Sequence, residues 1–446
     1  MPVKTALTIV AFAALIFLPR VVPALKNYES LDAGKITAVF DLPLPKMAGT
    51  PETETADAHL KRLAANAPSN LFDPAHELDH FYQALLEGDR TVRILHYGDS
   101  PTTADLITAD ARVLFQQQFG DAGSGFVLIA RPWAWYNHRG VDMDDASSWT
   151  VDIAGVTEVK DGMHGLGGVS FTGTPGASAH WKLKNNPHDS IEVAYLRQPD
   201  GGAFEVEAEG KPLGEVQTES NAIAPGFAAF KIPAGAKNFS VQVTSGTARL
   251  YGVEFRKGSP GVIYSSLGIN GANVTLLSRS FNQRHWEAEL RHYKPDLVIV
   301  NYGTNESGFA NFVDTTWASE MKEAVRRIHA ALPETSVLLM SPMDRGEKKP
   351  DGTIGTISTL PRLVNIEARL GAATGTAFFN TYEAMGGAGT MARWYAAEPR
   401  LVGADYIHPM PGGAKIVGAL LYEALRDGYN QYKLRQLDTR VPVQPK

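Results

Sequence analysis

The chain contains no cysteine. That absence excludes disulfides, thiolate metal sites, a cysteine nucleophile and a lipoprotein-type lipid anchor. Long basic runs are missing too, and the net charge is -6. Nucleic acid is therefore not an expected partner. The elbow Gly-x-Ser-x-Gly does not occur, which disfavours an α/β-hydrolase. No metal and no other cofactor is expected. The charge-free run Ala6 to Leu18 is short for a membrane span.

Lys4 precedes that run, and Val22-Pro23-Ala24 follows it as a small-residue cleavage site. Residues 1–24 therefore read as an export signal. Arg20, just after the apolar run, keeps an uncleaved membrane anchor as the rival. Either reading exports the remainder, to the periplasm or the extracellular space. The 446 residues, 44% hydrophobic and 20% charged, suit a soluble chain of more than one domain.

Residues 25–75 carry Pro43, Pro45, Pro51, Pro68 and Pro74 and read as a linker. A short helix is expected over 76–88. The apolar run 92–97 then ends in Gly98-Asp99-Ser100, and Pro101 suits the first turn of a following helix over about 102–118. Thr102 and Asp105 have capping-box spacing. A glycine-rich loop, Phe119 to Phe126, follows, then Trp133, Trp135 and Tyr136, which line a sugar site or simply pack. From 149 to 258 helical periodicity disappears. Short alternating runs such as Phe239-Ser240-Val241-Gln242-Val243 predict a β-sandwich inserted between two parts of an α/β domain, residues 76–148 and 259–430. The second part alternates apolar strands (262–267, 296–301, 336–341, 377–380) with helices (about 273–292, one marked by Trp317, Met321, Val325 and Ile328, 360–372 and 412–427). Residues 431–446 are left as a tail. The fold class is α/β: a flavodoxin-like, three-layer, doubly wound parallel sheet of about five strands with an inserted β-sandwich.

Ser100 is thus placed at the C-terminal end of a strand, where open α/β sheets bind ligands. Gly268-Ile269-Asn270-Gly271-Ala272 and Asn301-Tyr302-Gly303-Thr304-Asn305-Glu306 fall at further strand-to-helix junctions. Asp405-Tyr406-Ile407-His408 precedes the last helix. The four blocks appear in the order Ser, Gly, Asn, Asp-x-x-His, and in this the chain resembles the SGNH (GDSL) hydrolase superfamily over roughly 90–125 and 262–427. The resemblance implies a triad of Ser100, His408 and Asp405. It also implies an oxyanion hole made by the Ser100 N–H, the Gly271 N–H and the Asn305 amide. Pro101 does no harm in that scheme, because the serine's own N–H serves. Asp161-Gly-Met-His164 repeats the Asp-x-x-His spacing, but in the insert and out of order. Gly268 is the rival glycine of its block, Asn305 has helix-capping as its rival role, and Asp105 reads as a helix cap.

The loop, the insert and the glycine block look most like exported peptidoglycan or polysaccharide O-acetylesterases. Such relatives often carry histidine where this chain has Pro101. The resemblance implies an acetylated glycan as substrate. An O-acetyltransferase using the same serine and a non-catalytic carbohydrate-binding protein are the alternatives. Arg393, Trp394 and Tyr395 are further candidates for sugar contact.

Overall fold

The computed structural model describes residues 63, 67–143, 145–157, 161–184 and 187–438. The expected export signal or anchor, residues 1–24, lies outside them. Among the described residues no helix is long and apolar enough to cross a membrane. Two compact units divide the chain: residues 55–425, and residues 1–54 with 426–446. In the second unit, residues 426–438 are helical, with Lys433 placed over the Tyr429 ring.

The main sheet of the larger unit has six strands: β1 (Leu71–Phe72), β2 (Thr91–Gly98), β3 (Gly261–Gly268), β4 (Leu297–Asn301), β5 (Ser336–Met340) and β6 (Ala377–Phe379). Their spatial order is β1-β6-β5-β4-β2-β3. All neighbours are parallel except β1 against β6. Setting aside the antiparallel edge, the five parallel strands run 2-1-3-4-5 in chain order, the flavodoxin-like arrangement. The strands are apolar without alternation because helices cover both faces; β4 and β5 are buried at every residue. Helices α1 (Asp79–Glu87), α2 (Ile107–Phe119), α3 (Gln283–Tyr293), α4 (Trp317–Ala331), α5 (Leu360–Thr374) and α6 (from Pro411) complete the layers. α1 stops at Gly88, whose left-handed φ of 62° suits glycine.

Two further sheets lie between β2 and β3 in the chain. One runs Lys211–Gln217, Ala203–Ala208, Asn238–Ser245, Ser178–Leu183, Val141–Asp142. The other runs Ala224–Lys231, Ser190–Arg197, Ala248–Arg256, Val169–Gly173, Thr150–Ile153. Inward residues of the two sheets meet ring to ring, Phe239 on Phe255 at 5.0 Å and Tyr195 on Phe204 at 5.3 Å. Gly123–Leu128, expected as a glycine-rich loop, is a strand paired with Ala248–Arg256. Gly125 lets it pass close to β3, since a Cβ there would sit 2.4 Å from the Tyr264 carbonyl oxygen. The sandwich is tied to the main sheet by polar bonds as well: Arg93 to Glu254 at 2.6 Å, and Tyr97 Oη donating to the Leu166 carbonyl at 3.1 Å.

Other local expectations change. The helix expected over 102–118 is broken into Ser100–Thr103 and α2. Asp105 sits at the break with φ 51°. It is no helix cap for a Thr102 box. Its buried carboxylate accepts from both Arg112 Nη atoms, Thr108 Oγ1 and the Arg139 N–H. Burial pushes this carboxyl up, but Arg112 and the bonded donors win and hold it at about 2. The helix expected over 273–292 is a π-turn at Leu276–Ser280 followed by α3, capped by Asn282 accepting from the His285 N–H. α6 continues to Asp438, beyond the expected end near 427. The segment read as a linker to residue 75 contains β1 and the 3₁₀ turn Ala67–Asn70.

Candidate active site

Strand register assembles the site. Gly98, the last residue of β2, is level with Gly268 of β3 on one side and Asn301 of β4 on the other. Ser100, Gly271 and Asn305 follow those three residues by two to four positions each. They leave the sheet together at its switch point, where chain order reverses between neighbours. Two glycines make room for the turn. A Cβ on Gly98 would lie 2.3 Å from Thr102 Oγ1, and one on Gly268 would lie 2.2 Å from the Thr103 nitrogen. Gly268 is thus a packing glycine within β3. Gly271 has φ 71°, with no atom within 4 Å of where a Cβ would stand. After Ser100 the chain turns at once into a short helix, with the Asp99 carbonyl accepting from the Thr102 and Thr103 N–H groups. Pro101 occupies the first turn, where a missing N–H costs nothing.

The loop before α6 returns to this point. Ser100 Oγ lies 2.8 Å from His408 Nε2, and His408 Nδ1 lies 2.6 Å from Asp405 Oδ2. Asp405 Oδ1 accepts from the Ile407 and His408 N–H groups at 3.0 and 3.1 Å, which fixes the carboxylate relative to the ring. Burial alone raises the Asp405 carboxyl, but the His408 bond and the two amides outweigh it and hold it below its ordinary value. The carboxylate is therefore ionised. It accepts a hydrogen bond from Nδ1–H, which keeps the proton on that nitrogen and leaves Nε2 free to accept from the serine. Ser100 is 9% exposed, whereas the Asp405 and His408 side chains are each 48% exposed.

The opposite wall rests on a buried carboxylate, that of Glu306. Asn305 Nδ2 donates to the Ala272 carbonyl at 2.7 Å, so its amide is oriented by the glycine loop and caps no helix. Glu306, next in the chain and 3% exposed, accepts from the Val274 N–H at 2.8 Å and the Gly303 N–H at 3.0 Å. It clasps the two loops that carry Gly271 and Asn305. Burial outweighs those bonds and pushes its carboxyl up to about 8. Asp99, also buried, is raised to about 6 by the same cause against a bond from Thr304. Sequence reasoning gave Glu306 no role. The one available signal was its place directly after the block asparagine.

Other candidates lie apart from this arrangement. Asp161 bonds Arg249 and the Met163 N–H, while His164 is buried with neither ring nitrogen bonded. Trp394 is buried, Tyr395 is half-buried, and Arg393 donates to the Gly386 and Ala388 carbonyls. Tyr136 is buried with its Oη accepting from the Leu128 N–H, Trp133 packs edge-on to it, and Trp135 is exposed. One run was passed over in the sequence: His76-Glu77-Leu78-Asp79-His80 has the His-Glu-x-x-His spacing of some zinc enzymes. That chemistry needs both histidines one turn apart on a helix. Here α1 begins only at Asp79, and His76 precedes it with φ 63°. Among the described residues no group of three or more His, Asp or Glu side chains is placed to hold a metal.

The fold and the facing Ser, His and Asp define a class, the SGNH-type serine hydrolases. Residues 234–416 match the GDSL-like lipase/acylhydrolase family model, which marks the chain as a hydrolase of ester bonds. The match takes in Gly271, Asn305, Asp405 and His408 and leaves out Ser100, which the insert separates from them. No curated protein matches the chain. Among solved structures, the chain is similar to a peptidoglycan O-acetylesterase, with a TM-score of 0.67 and 22% identity over 80% of this chain and 97% of that one. A family two carbohydrate esterase from Cellvibrio japonicus aligns at TM-score 0.27 and 12% identity, over 66% of this chain and 99% of that one.

Proposed function

We propose that the chain is an exported serine esterase that removes O-acetyl groups from a carbohydrate of the cell envelope or its surroundings. One observation carries the reading: Ser100 Oγ, His408 and Asp405 stand in hydrogen-bonded series beside the Gly271 and Asn305 loops. In this mechanism Ser100 attacks the acetyl carbonyl while His408 Nε2 takes its proton. The oxyanion is met by the Ser100 and Gly271 N–H groups and the Asn305 amide. His408 then returns the proton to the sugar hydroxyl as it leaves, and water releases acetate from the serine by the same steps.

The half-exposed histidine gives water direct access, which favours hydrolysis over transfer to a second sugar. The O-acetylesterase whose fold the chain shares supports acetate as the acyl group. A cleft of about 370 Å³ on the insert, lined by Asp142, His180, Lys182 and Glu207 together with Trp181 and Phe239, supports glycan contact there. The test is acetate release from acetylated glycans, peptidoglycan included, by the wild type and by Ser100→Ala. Release by the wild type alone is expected. Equal release by a folded S100A would end the reading.

A further inference from the structure

Two guanidinium groups near these loops, those of Arg345 and Arg400, make no ion pair with a carboxylate among the described residues. Arg345 is half-buried. Its Nη1 donates to the Thr304 carbonyl at 2.7 Å and to Ser307 Oγ at 3.2 Å, directly against the turn that presents Asn305. The nearest carboxylates, Glu347 and Asp99, act on it only at a distance, and neither makes an ion pair with it among the described residues. Arg400 stacks over the Tyr395 ring at 4.3 Å. Tyr395 meets Tyr406 edge-on at 4.8 Å, and Tyr406 lies between Asp405 and His408 in the chain. The two ends join, because the Gly346 N–H, next to Arg345, donates to the Tyr406 carbonyl at 2.9 Å. Arg345, Tyr406, Tyr395 and Arg400 therefore form one continuous rim, which runs from the oxyanion turn to the histidine loop.

A half-buried guanidinium with only neutral acceptors is costly unless a ligand supplies the missing charge. Its planar fork matches a carboxylate. Half-exposed tyrosines between two such forks offer apolar surface and hydroxyls to a sugar. We infer that this rim is a subsite for an acidic sugar, and that the substrate is an acetylated glycan carrying carboxylates close to the acetylated residue. This rests on the carbohydrate esterase reading above and narrows its substrate.

The test compares two forms of one substrate: acetylated oligosaccharides of a uronic acid, and the same oligosaccharides after reduction of their carboxylates to alcohols. Wild-type kcat/KM should favour the acidic form by about tenfold at low salt, with the preference shrinking toward unity at roughly 0.5 M salt. In Arg345→Gln/Arg400→Gln the preference should fall to about twofold or less, and R400Q alone should fall in between. Because each preference is a ratio within one protein, partial loss of folded enzyme cancels. A wild-type ratio near one, or a ratio untouched in the double variant, overturns the acidic subsite and leaves the esterase standing. If a small aryl acetate is cleaved while neither glycan form is, the carbohydrate reading falls and this inference with it.

Discussion

The chain contains two Asp-x-x-His segments, and they have opposite fates. In Asp405 to His408 one carboxylate oxygen takes two backbone amides and the other faces the ring, whose far nitrogen reaches a serine. In Asp161 to His164 the carboxylate is spent on Arg249 and the Met163 amide, and the histidine is buried away from any serine partner. Burial keeps the His164 imidazole neutral, its pKa lowered mainly by desolvation. Spacing alone therefore does not bring an Asp-x-x-His pair against a serine. What does is a carboxylate whose remaining bonds leave one oxygen facing the ring, and a ring left at the surface where a substrate arrives.

The largest effect should separate the two at a stroke. Ser100→Ala and His408→Ala should each lower aryl acetate hydrolysis by about 10⁴-fold or more, with circular dichroism unchanged, while His164→Ala should leave kcat/KM within about twofold. An inactive H164A beside an active H408A would reverse the assignment. Asn305→Ala should cost about 10²–10³-fold in kcat with little change in KM, because its amide meets charge that exists in the transition state; an equal rise in KM would make it a ground-state contact. Asp405→Asn should cost about a hundredfold, less than the roughly 10⁴-fold of a buried triad carboxylate, because water reaches this ring.

Glu306→Gln is the subtler probe. A glutamine oxygen holds one of the two loops and its NH₂ repels the other amide donor. A loss of about tenfold in kcat is expected, smaller than that of Asn305→Ala. Its pH signature has a definite sign. With its folded carboxyl raised to about 8 from an ordinary 4.5, Glu306 adds stability that is full below 4.5 and lost as pH rises through 8. Thermal melts of E306Q should lose less between pH 5 and 9 than those of the wild type. Asp105 has the opposite sign: lowered to about 2 from 3.8, it adds on the order of 2 kcal/mol above 3.8, lost as pH falls through 2. Asp105→Asn should therefore flatten the acid limb of the melt series.

Much of this was legible from residue patterns. The uninterrupted apolar runs of β4 and β5 announced buried parallel strands, and the blocks sat at the ends of strands or before the last helix. The illegible parts were set by tertiary partners. Asp105 breaks its helix because Arg112 and the Arg139 amide hold it in a left-handed turn, and no local propensity encodes that. Gly123–Leu128 reads as a loop because glycine is poor in strands, yet glycine is what allows its backbone to press on β3. β1 is two residues long, too short for any periodicity. Glu306 and Arg345 have roles fixed by chain segments far from them in sequence.

The position of the insert has a consequence in time. β2, which leads into the serine, pairs with β3 and β4 and, among the described residues, with no strand before it. During synthesis it must therefore wait while the whole sandwich emerges, on the order of ten seconds at about 5–20 residues per second. For that interval the nascent chain displays Ile94, Leu95 and Tyr97 with both sheet edges open. A nascent chain stalled after residue 258 should be held by chaperones or aggregate, and one extended past Asn301 should be released.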